Sequence, residues 1–302
     1  IRIGGINMES IKESGRKYPQ RGRFRGLKDI WIRMKRNKLA MMGLFIIILL
    51  VIVAIFADVI APYGYADQNL ANQYQKPSME HLFGTDELGR DIFSRVVYGS
   101  RVSLRVGFIS VSISMIIGVA FGAITGYYGG KVDNVLMRLI DIVQALPDTL
   151  LAIAIMASLG PGLTNLMIAV GIAAIPGYAR LVRSSVLSLK DQEFIEAARA
   201  NGSSDFRIIL KHIIPNCMAP IIVQATLGVA YAIINAAGLS FIGLGLEPPT
   251  PEWGAMLSGG RAYIRDFPHM TLFPGLAIVI TILALNLLGD GLRDALDPKL
   301  KR

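Results

Sequence analysis

Glu193-Phe-Ile-Glu-Ala-Ala-Arg-Ala-Asn-Gly202, followed by Ser203 to Pro215, is a polar interruption between two apolar stretches. Its residues spell a short helix, a glycine break, a second helix and a proline stop. Gly202 permits a tight turn, and Ser203 or Ser204 can cap the helix that follows. Glu196, Ala197 and Ala198 stand just before the turn. Small side chains beside a turn suit close docking into a groove of another protein. An ordinary capped surface helix would use the same residues, so the surrounding chain decides between the two.

That chain is built for a bilayer. Of its 302 residues 53% are hydrophobic, and its mean hydropathy is +0.49. A soluble domain is usually ~45–50% apolar with glycine counted in. A membrane-spanning helix needs about 20 mostly apolar residues. Six stretches qualify, at approximately 39–60, 102–127, 134–159, 163–187, 218–244 and 271–290. Gly, Pro and single polar residues interrupt the later ones, as happens where helices pack on each other instead of on lipid. The expected fold is an all-α membrane protein of six spans, with a coupling loop at about 188–217.

Charge sets the expected orientation. The formal net charge is +9, and residues 1–38 carry twelve Lys or Arg against three acids, which accounts for all of it. A basic segment directly before a span is expected on the cytoplasmic side. Six spans then return the C-terminus to the same side. This places 24 of the 31 Lys and Arg inside and 7 outside. Nucleic-acid binding is the lesser explanation of the tail, because the adjacent span already accounts for its charge. No nucleic-acid partner is expected.

Residues 1–26 read as a basic tail, with Met8 a candidate start and residues 1–7 given no structural weight. In 27–38, Leu27, Ile30, Trp31 and Met34 fall at helical spacing, flanked by Lys28, Arg33, Lys35 and Arg36. This is the pattern of an amphipathic helix at a membrane interface, with its cations near anionic lipid. A cleaved signal peptide is not expected, since the basic region is long and the apolar run is span-length. The one cysteine, Cys217, cannot form an internal disulfide and reads as a small packing residue.

Two outer loops are substantial. One runs for about forty residues from Ala61 to Arg101, and the other holds Glu247-Pro-Pro-Thr-Pro-Glu-Trp-Gly-Ala-Met-Leu257 and Arg261 to Met270. They either cap the bundle or meet a binding protein. Gly118, Gly122, Gly126 and Gly130 share a helix face and predict close helix approach. Pro147, Pro176 and Pro274 are expected to interrupt spans three, four and six. Gln144, Asp148, Gln224, Asn235 and Asn286 fall at membrane depth. Gln144, Asp148 and Asn235 are the candidates for a translocation path. Asp148 must face protein or water, either lining that path or, as we favour, capping the helix that restarts after Pro147. Arg138 and Arg293 are expected to pair with Asp141 and Asp290.

No catalytic constellation is present. There is no Gly-x-x-x-x-Gly-Lys-Ser/Thr phosphate loop and no His-Glu-x-x-His, and the three histidines are scattered. No cofactor or metal is expected on this chain. Leu257-Ser-Gly-Gly-Arg261 looks like the signature of an ABC ATPase, but it lies in an outer loop with no phosphate loop beside it.

Several motifs together resemble the C-type permease subunit of dipeptide and oligopeptide ABC importers. They are Gly84-Thr-Asp-Glu-Leu-Gly-Arg-Asp91, Glu196-Ala-Ala with Gly202, Pro215-Asn216, Leu239-Ser-Phe-Ile-Gly-Leu-Gly245, Pro248-Pro-Thr-Pro-Glu-Trp-Gly254 and Leu288-Gly-Asp-Gly-Leu-Arg-Asp-Ala-Leu-Asp-Pro-Lys299. The likeness covers nearly all of the chain after residue 27. One departure is His212-Ile-Ile-Pro215, where the general importer pattern is Ile-x-Leu-Pro. The resemblance implies a type I importer permease fold and a coupling role for Glu196, Ala197, Ala198 and Gly202. It also implies a homologous B-type permease partner, an extracytoplasmic peptide-binding protein, and two separate ATPase subunits that hold ATP and Mg. Relatives carrying nickel or glutathione share these motifs. A secondary transporter coupled to an ion gradient is the alternative of another class, but it would need an embedded carboxylate network, and only Asp148 lies well inside.

Overall fold

A computed structural model describes residues 23–296. Residues 1–22, the side chains of residues 23–28 and residues 297–302 lie outside the described residues. The readings placed on Met8, residues 1–7, most of the basic tail, the Leu27 side chain and the end of the C-terminal motif lie there with them.

The described chain is helical throughout its regular parts. The helices in chain order are α1 (Arg23–Arg36), α2 (Lys38–Ile55), α3 (Ala57–Ile60), α4 (Ile92–Tyr128), α5 (Gly130–Gln144) and α6 (Asp148–Leu159). They continue with α7 (Leu163–Leu189), α8 (Glu193–Ala200), α9 (Asp205–Ile208), α10 (Ile214–Phe241), α11 (Trp253–Gly260) and α12 (His269–Leu296). Five helical stretches are long and apolar enough to cross a membrane, and the bent pair α5–α6 makes a sixth.

Span three differs from the expectation of one helix over 134–159. It is two helices bent by 82° at a short break. Pro147 lacks the donor that would bond back to the preceding turn, so the chain leaves helical geometry there and restarts at Asp148. Pro176 and Pro274 do not act this way. Both lie inside continuous helices, α7 and α12. Span two begins ten residues earlier than expected, because Asp91 caps α4 by accepting from the Ser94 N–H at 2.7 Å.

The bundle is organised around α4 and α7, which make the most extensive contact in the molecule. Three of the four ladder glycines explain it. A Cβ on Gly118 would come within 2.5 Å of Tyr178 Cβ, one on Gly122 within 2.7 Å of Val182 Cβ, and one on Gly126 within 2.8 Å of Val186 Cβ. Gly130 is not part of the ladder. It follows the helix break at Gly129, has φ +52° and has nothing near it. Gly43 plays a similar role between α2 and α12, against Leu287 and Leu288. The opposite face of α2, with Phe45, Ile48, Leu49 and Ile52, stays exposed as a lipid-facing surface requires.

The two ends of the bundle differ. At one end α1, the start of α2 and α12 pack together through Met34, Ala40 and Ala295. Trp31 and Ile32 remain exposed on α1, with Lys35 Nζ 5.2 Å from the Trp31 ring. The segment 190–213 lies at this same end. At the other end the loop after α3 and the helix α11 form one polar-cored cap, within which the Leu-Ser-Gly-Gly-Arg decoy is a turn of α11.

Candidate functional site

The polar residues at membrane depth converge on one cavity. It measures about 730 Å³ and lies among α4, α5–α6, α7, α10 and α12. Gln144, Asp148, Gln224, Asn235 and Asn286 all line it. The 82° bend is what brings Gln144 and Asp148, on separate helices, to the same space. Ser110, Ser114, Tyr178 and Tyr231 add hydroxyls that had given no sequence signal. Part of this polarity is turned back on the chain: the Tyr178 hydroxyl donates to the Gln224 carbonyl at 3.2 Å, and Asn235 Nδ2 to the Tyr231 carbonyl at 2.9 Å. Asp148 does not cap α6. Between the polar groups the wall is apolar, from Val111, Ala152 and Leu239 among others. Neutral amides and hydroxyls on an apolar wall can hold a small polar solute weakly and release it.

The segment singled out first has the turn expected of it. α8 ends in a Schellman motif: Ser203 N–H donates to the Ala198 carbonyl at 3.1 Å and Gly202 N–H to the Arg199 carbonyl at 2.9 Å. Gly202 has φ +74°, the left-handed region where glycine is favoured. Ser204 occupies the cap position of α9 but makes no side-chain capping bond. Pro215 is not a stop. The chain passes from α9 through a π-helical stretch, Ile209–Ile213, straight into α10, with Pro215 in its first turn. A proline at 215 offers no N–H to the carbonyl four residues back, and a wide turn accommodates that loss.

The two alanines face different ways. Ala198 is only 8% exposed and packs with Ile195 into an apolar cluster beneath the segment, formed by Ala123, Tyr127, Val182, Val186, Ile208 and Ile213. Ala197 and Glu196 point outward. Beside them Phe194 is 38% and Phe206 73% exposed. The outward surface therefore has aromatic anchors that the small-residue reading missed. The segment is tied to α4 by the Tyr127 hydroxyl, which donates to Asp205 at 2.6 Å, and by Arg199 lying 5.3 Å from the Tyr127 ring. These partners are far apart in the chain, so no local pattern announces them. Cys217 is buried in the same cluster, as a packing residue.

Ion pairs near this end also differ from the expectation. Asp141 pairs with Arg180 at 2.7 Å rather than with Arg138, and Asp133 with Arg183 at 2.6 Å. Both pairs pin α5 to α7. Among the described residues Asp290 forms no ion pair with Arg293.

At the far end the Gly84–Asp91 motif is a scaffold. Asp86 accepts from the N–H groups of Leu88 and Arg90 and pairs with the Arg90 guanidinium at 2.6 Å. Asp91 holds His81 Nδ1 at 2.9 Å while capping α4. Arg95 donates to the carbonyls of Tyr65 and Pro249, joining the two loops. Trp253 is buried with its ring over Gly99 and its N–H on the Val96 carbonyl at 3.0 Å. Glu252 caps α11 through the N–H groups of Gly254 and Ala255. Burial pushes its carboxyl above the ordinary 4.5, against the pull of those two bonds.

Comparison with known proteins gives this architecture a family. Residues 118–302 match the model of the binding-protein-dependent transport system inner membrane component. The chain belongs to that family. Residues 27–77 match the N-terminal transmembrane domain of oligopeptide transport permease C. A dipeptide transport system permease protein DppC of Alkalihalophilus pseudofirmus is 52% identical over 274 residues, which is 91% of this chain and 90% of the relative. A glutathione transport system permease protein GsiD of Escherichia coli O157:H7 is 51% identical over 276 residues, 90% of each. The fold is also that of solved ABC transporters. An inward-facing MetNI methionine transporter superposes with a TM-score of 0.55 at 20% identity, covering 67% of this chain and 96% of that one. An amino acid ABC transporter gives 0.52 at 15% identity, covering 67% and 94%. The protein is a multi-pass membrane permease subunit of an ABC importer with the type I fold.

Proposed function

We propose that this permease carries small peptides inward across the cytoplasmic membrane of a prokaryote. The observation behind the reading is the cavity, where Gln144, Asp148, Gln224, Asn235 and Asn286 face one space of about 730 Å³. Amide side chains match the amide backbone of a peptide, and a cavity of this size suits a small one. The DppC relative, 52% identical, favours a dipeptide. The GsiD relative, 51% identical, favours glutathione as the second reading. Both cargoes carry amides and a primary ammonium.

In this reading a homologous B-type permease closes the open side of the cavity. Of two ATPase subunits, which bind ATP and Mg, one docks on α8 and α9 through Phe194, Glu196, Ala197 and Phe206. A peptide-binding protein delivers cargo to the capped end, and both termini are cytoplasmic. Motion at α8 reaches the path along one packed route. Ile195 and Ala198 press on α4 and α7, the glycine ladder locks those helices together, and both helices line the cavity above. ATP-driven rocking of this unit changes which side the cavity faces.

The test is uptake by proteoliposomes holding the whole importer and its binding protein, supplied with radiolabelled dipeptide or glutathione. ATP-dependent accumulation of the dipeptide is expected. Uptake driven by an ion gradient without ATP would point to a secondary transporter instead.

A further inference from the structure

We propose that the Asp148 carboxylate is the cavity's receptor for a primary ammonium group, and that it makes passage selective for cargo carrying one. The proposal rests on the peptide-importer reading and adds the group that is recognised.

Asp148 is the single charged side chain among the residues lining the cavity. It begins α6, a helix of 12 residues followed by Gly162, whose N–H bonds to the Gly245 carbonyl ahead of the second outer loop, so the carboxylate lies about 16 Å of helix below that end. A carboxylate at such depth is costly and needs water or a partner of opposite charge. The chain supplies no such partner. Among the described residues its ion pairs all lie elsewhere, and those of nearby Asp133 and Asp141 are with Arg183 and Arg180. Nor does the carboxylate stand at the cap position of α6, which Pro147 holds. Its side chain is part-exposed toward the space instead. The first turn of α6 favours a negative charge there without consuming it in a bond.

The rest of the lining completes a receptor for one ammonium. An ammonium has three donors and no acceptor. Asp148 offers a charged acceptor, and Gln144 and Asn286 offer amide oxygens among the other residues lining the cavity. No lining residue carries positive charge to repel the incoming cation or to hold the cargo's carboxylate. The cavity thus attracts one end of a zwitterion and not the other, which would orient a peptide within the path. A primary ammonium can come from the peptide's N-terminus or from a lysine side chain.

Binding is measured directly, without the binding protein, on the assembled importer in nanodiscs by saturation-transfer NMR. The probes are dialanine, N-acetyl-dialanine and N-acetyl-alanyl-lysine. Wild type is expected to bind dialanine about ten- to a hundredfold more tightly than N-acetyl-dialanine. Asp148→Asn should erase that difference, and Asp148→Glu should keep most of it. Tight binding of N-acetyl-alanyl-lysine would assign the receptor to any primary ammonium, whereas weak binding would restrict it to the N-terminus. Equal affinity of wild type for dialanine and N-acetyl-dialanine, or a loss with Asp148→Asn that is the same for both, would overturn the proposal. Uptake by proteoliposomes separates this from the reading beneath it. Asp148-dependent binding in a complex that imports no peptide would support the receptor and overturn the peptide cargo.

Discussion

At Gly202 a single backbone angle shapes the docking segment. Its φ of +74° closes the Schellman turn, and a Cβ there would meet nothing within 4 Å. The cost of a side chain is therefore backbone strain alone, on the order of 1–3 kcal/mol for a β-branched residue. Gly202→Val should reduce the ATPase subunits that co-purify and the stimulated hydrolysis rate, while Gly202→Asn, which tolerates this region better, should do so less. Equal ATPase retention in both variants and wild type would detach this turn from coupling. Glu252 carries a pH prediction. Its raised pKa means that the folded cap binds the proton more tightly than the unfolded chain does. Its contribution is most favourable below the ordinary 4.5 and is lost as pH climbs through the raised value. Replacing wild type by Glu252→Gln should flatten the fall of Tm over that rise; an unchanged difference in Tm between pH 5 and pH 8 would contradict it. The glycine at 202 was readable because glycine after a helix has few other uses. The direction of Ala198 was not, because an alanine suits an outer groove and an inner one alike.

The helices show the same division. Spacing revealed that Gly118, Gly122 and Gly126 form a contact face, since small residues four apart in a span-length apolar helix fall on one side of it. It did not reveal that α7 lies against them or that Gly130 lies past the end of α4, at the start of α5. The bend at Pro147 was the largest surprise. Pro147, Pro176 and Pro274 look alike in sequence, yet only the first breaks its helix by 82°. Tertiary partners settle the matter: α5 is pinned to α7 by Asp133–Arg183 and Asp141–Arg180, and α6 packs on α7 separately. The α4–α7 lock gives an element-scale prediction. In Gly122→Ala the new methyl would lie 2.7 Å from Val182 Cβ and press on the Ala179 carbonyl, which belongs to fixed backbone. The helices must then part, at about 1–3 kcal/mol. Gly177→Ala is the control, on α7 with nothing within 4 Å. Thermal unfolding of the purified complex should show a lower Tm for Gly122→Ala and no loss for Gly177→Ala. A Tm for Gly122→Ala at or above that of wild type would show that the helix pair is not tightly locked.

For the whole molecule, hydropathy reveals how many times the chain crosses, and packing reveals which ends lie together. The end of α12, α1, α8 and α9 gather at one end, while His81, Asp86, Glu252 and Trp253 knit the cap at the other. The cavity opens between them, and its Gln144 and Asn286 stand 142 positions apart, so the sequence could name such residues but not join them. The proposal that the end of α1 and α8 faces the cytoplasm rests on charge, because the sequence boundaries put 24 of 31 Lys and Arg on the expected inner side, and loops rich in Lys and Arg stay inside. Two exposed positions report on the two sides. Met79, 95% exposed, belongs to the cap, and Ser204 is exposed at the turn between α8 and α9. The chain has one cysteine, Cys217, and it is buried, so a Cys217→Ser background is silent and tolerates the small change in volume. In intact cells an impermeant maleimide should label Met79→Cys and leave Ser204→Cys untouched until the membrane is permeabilised. Labelling of Ser204→Cys in intact cells would invert the molecule. The docking segment would then face away from any cytoplasmic ATPase, and the coupling route from α8 through α4 and α7 would have no motor to drive it.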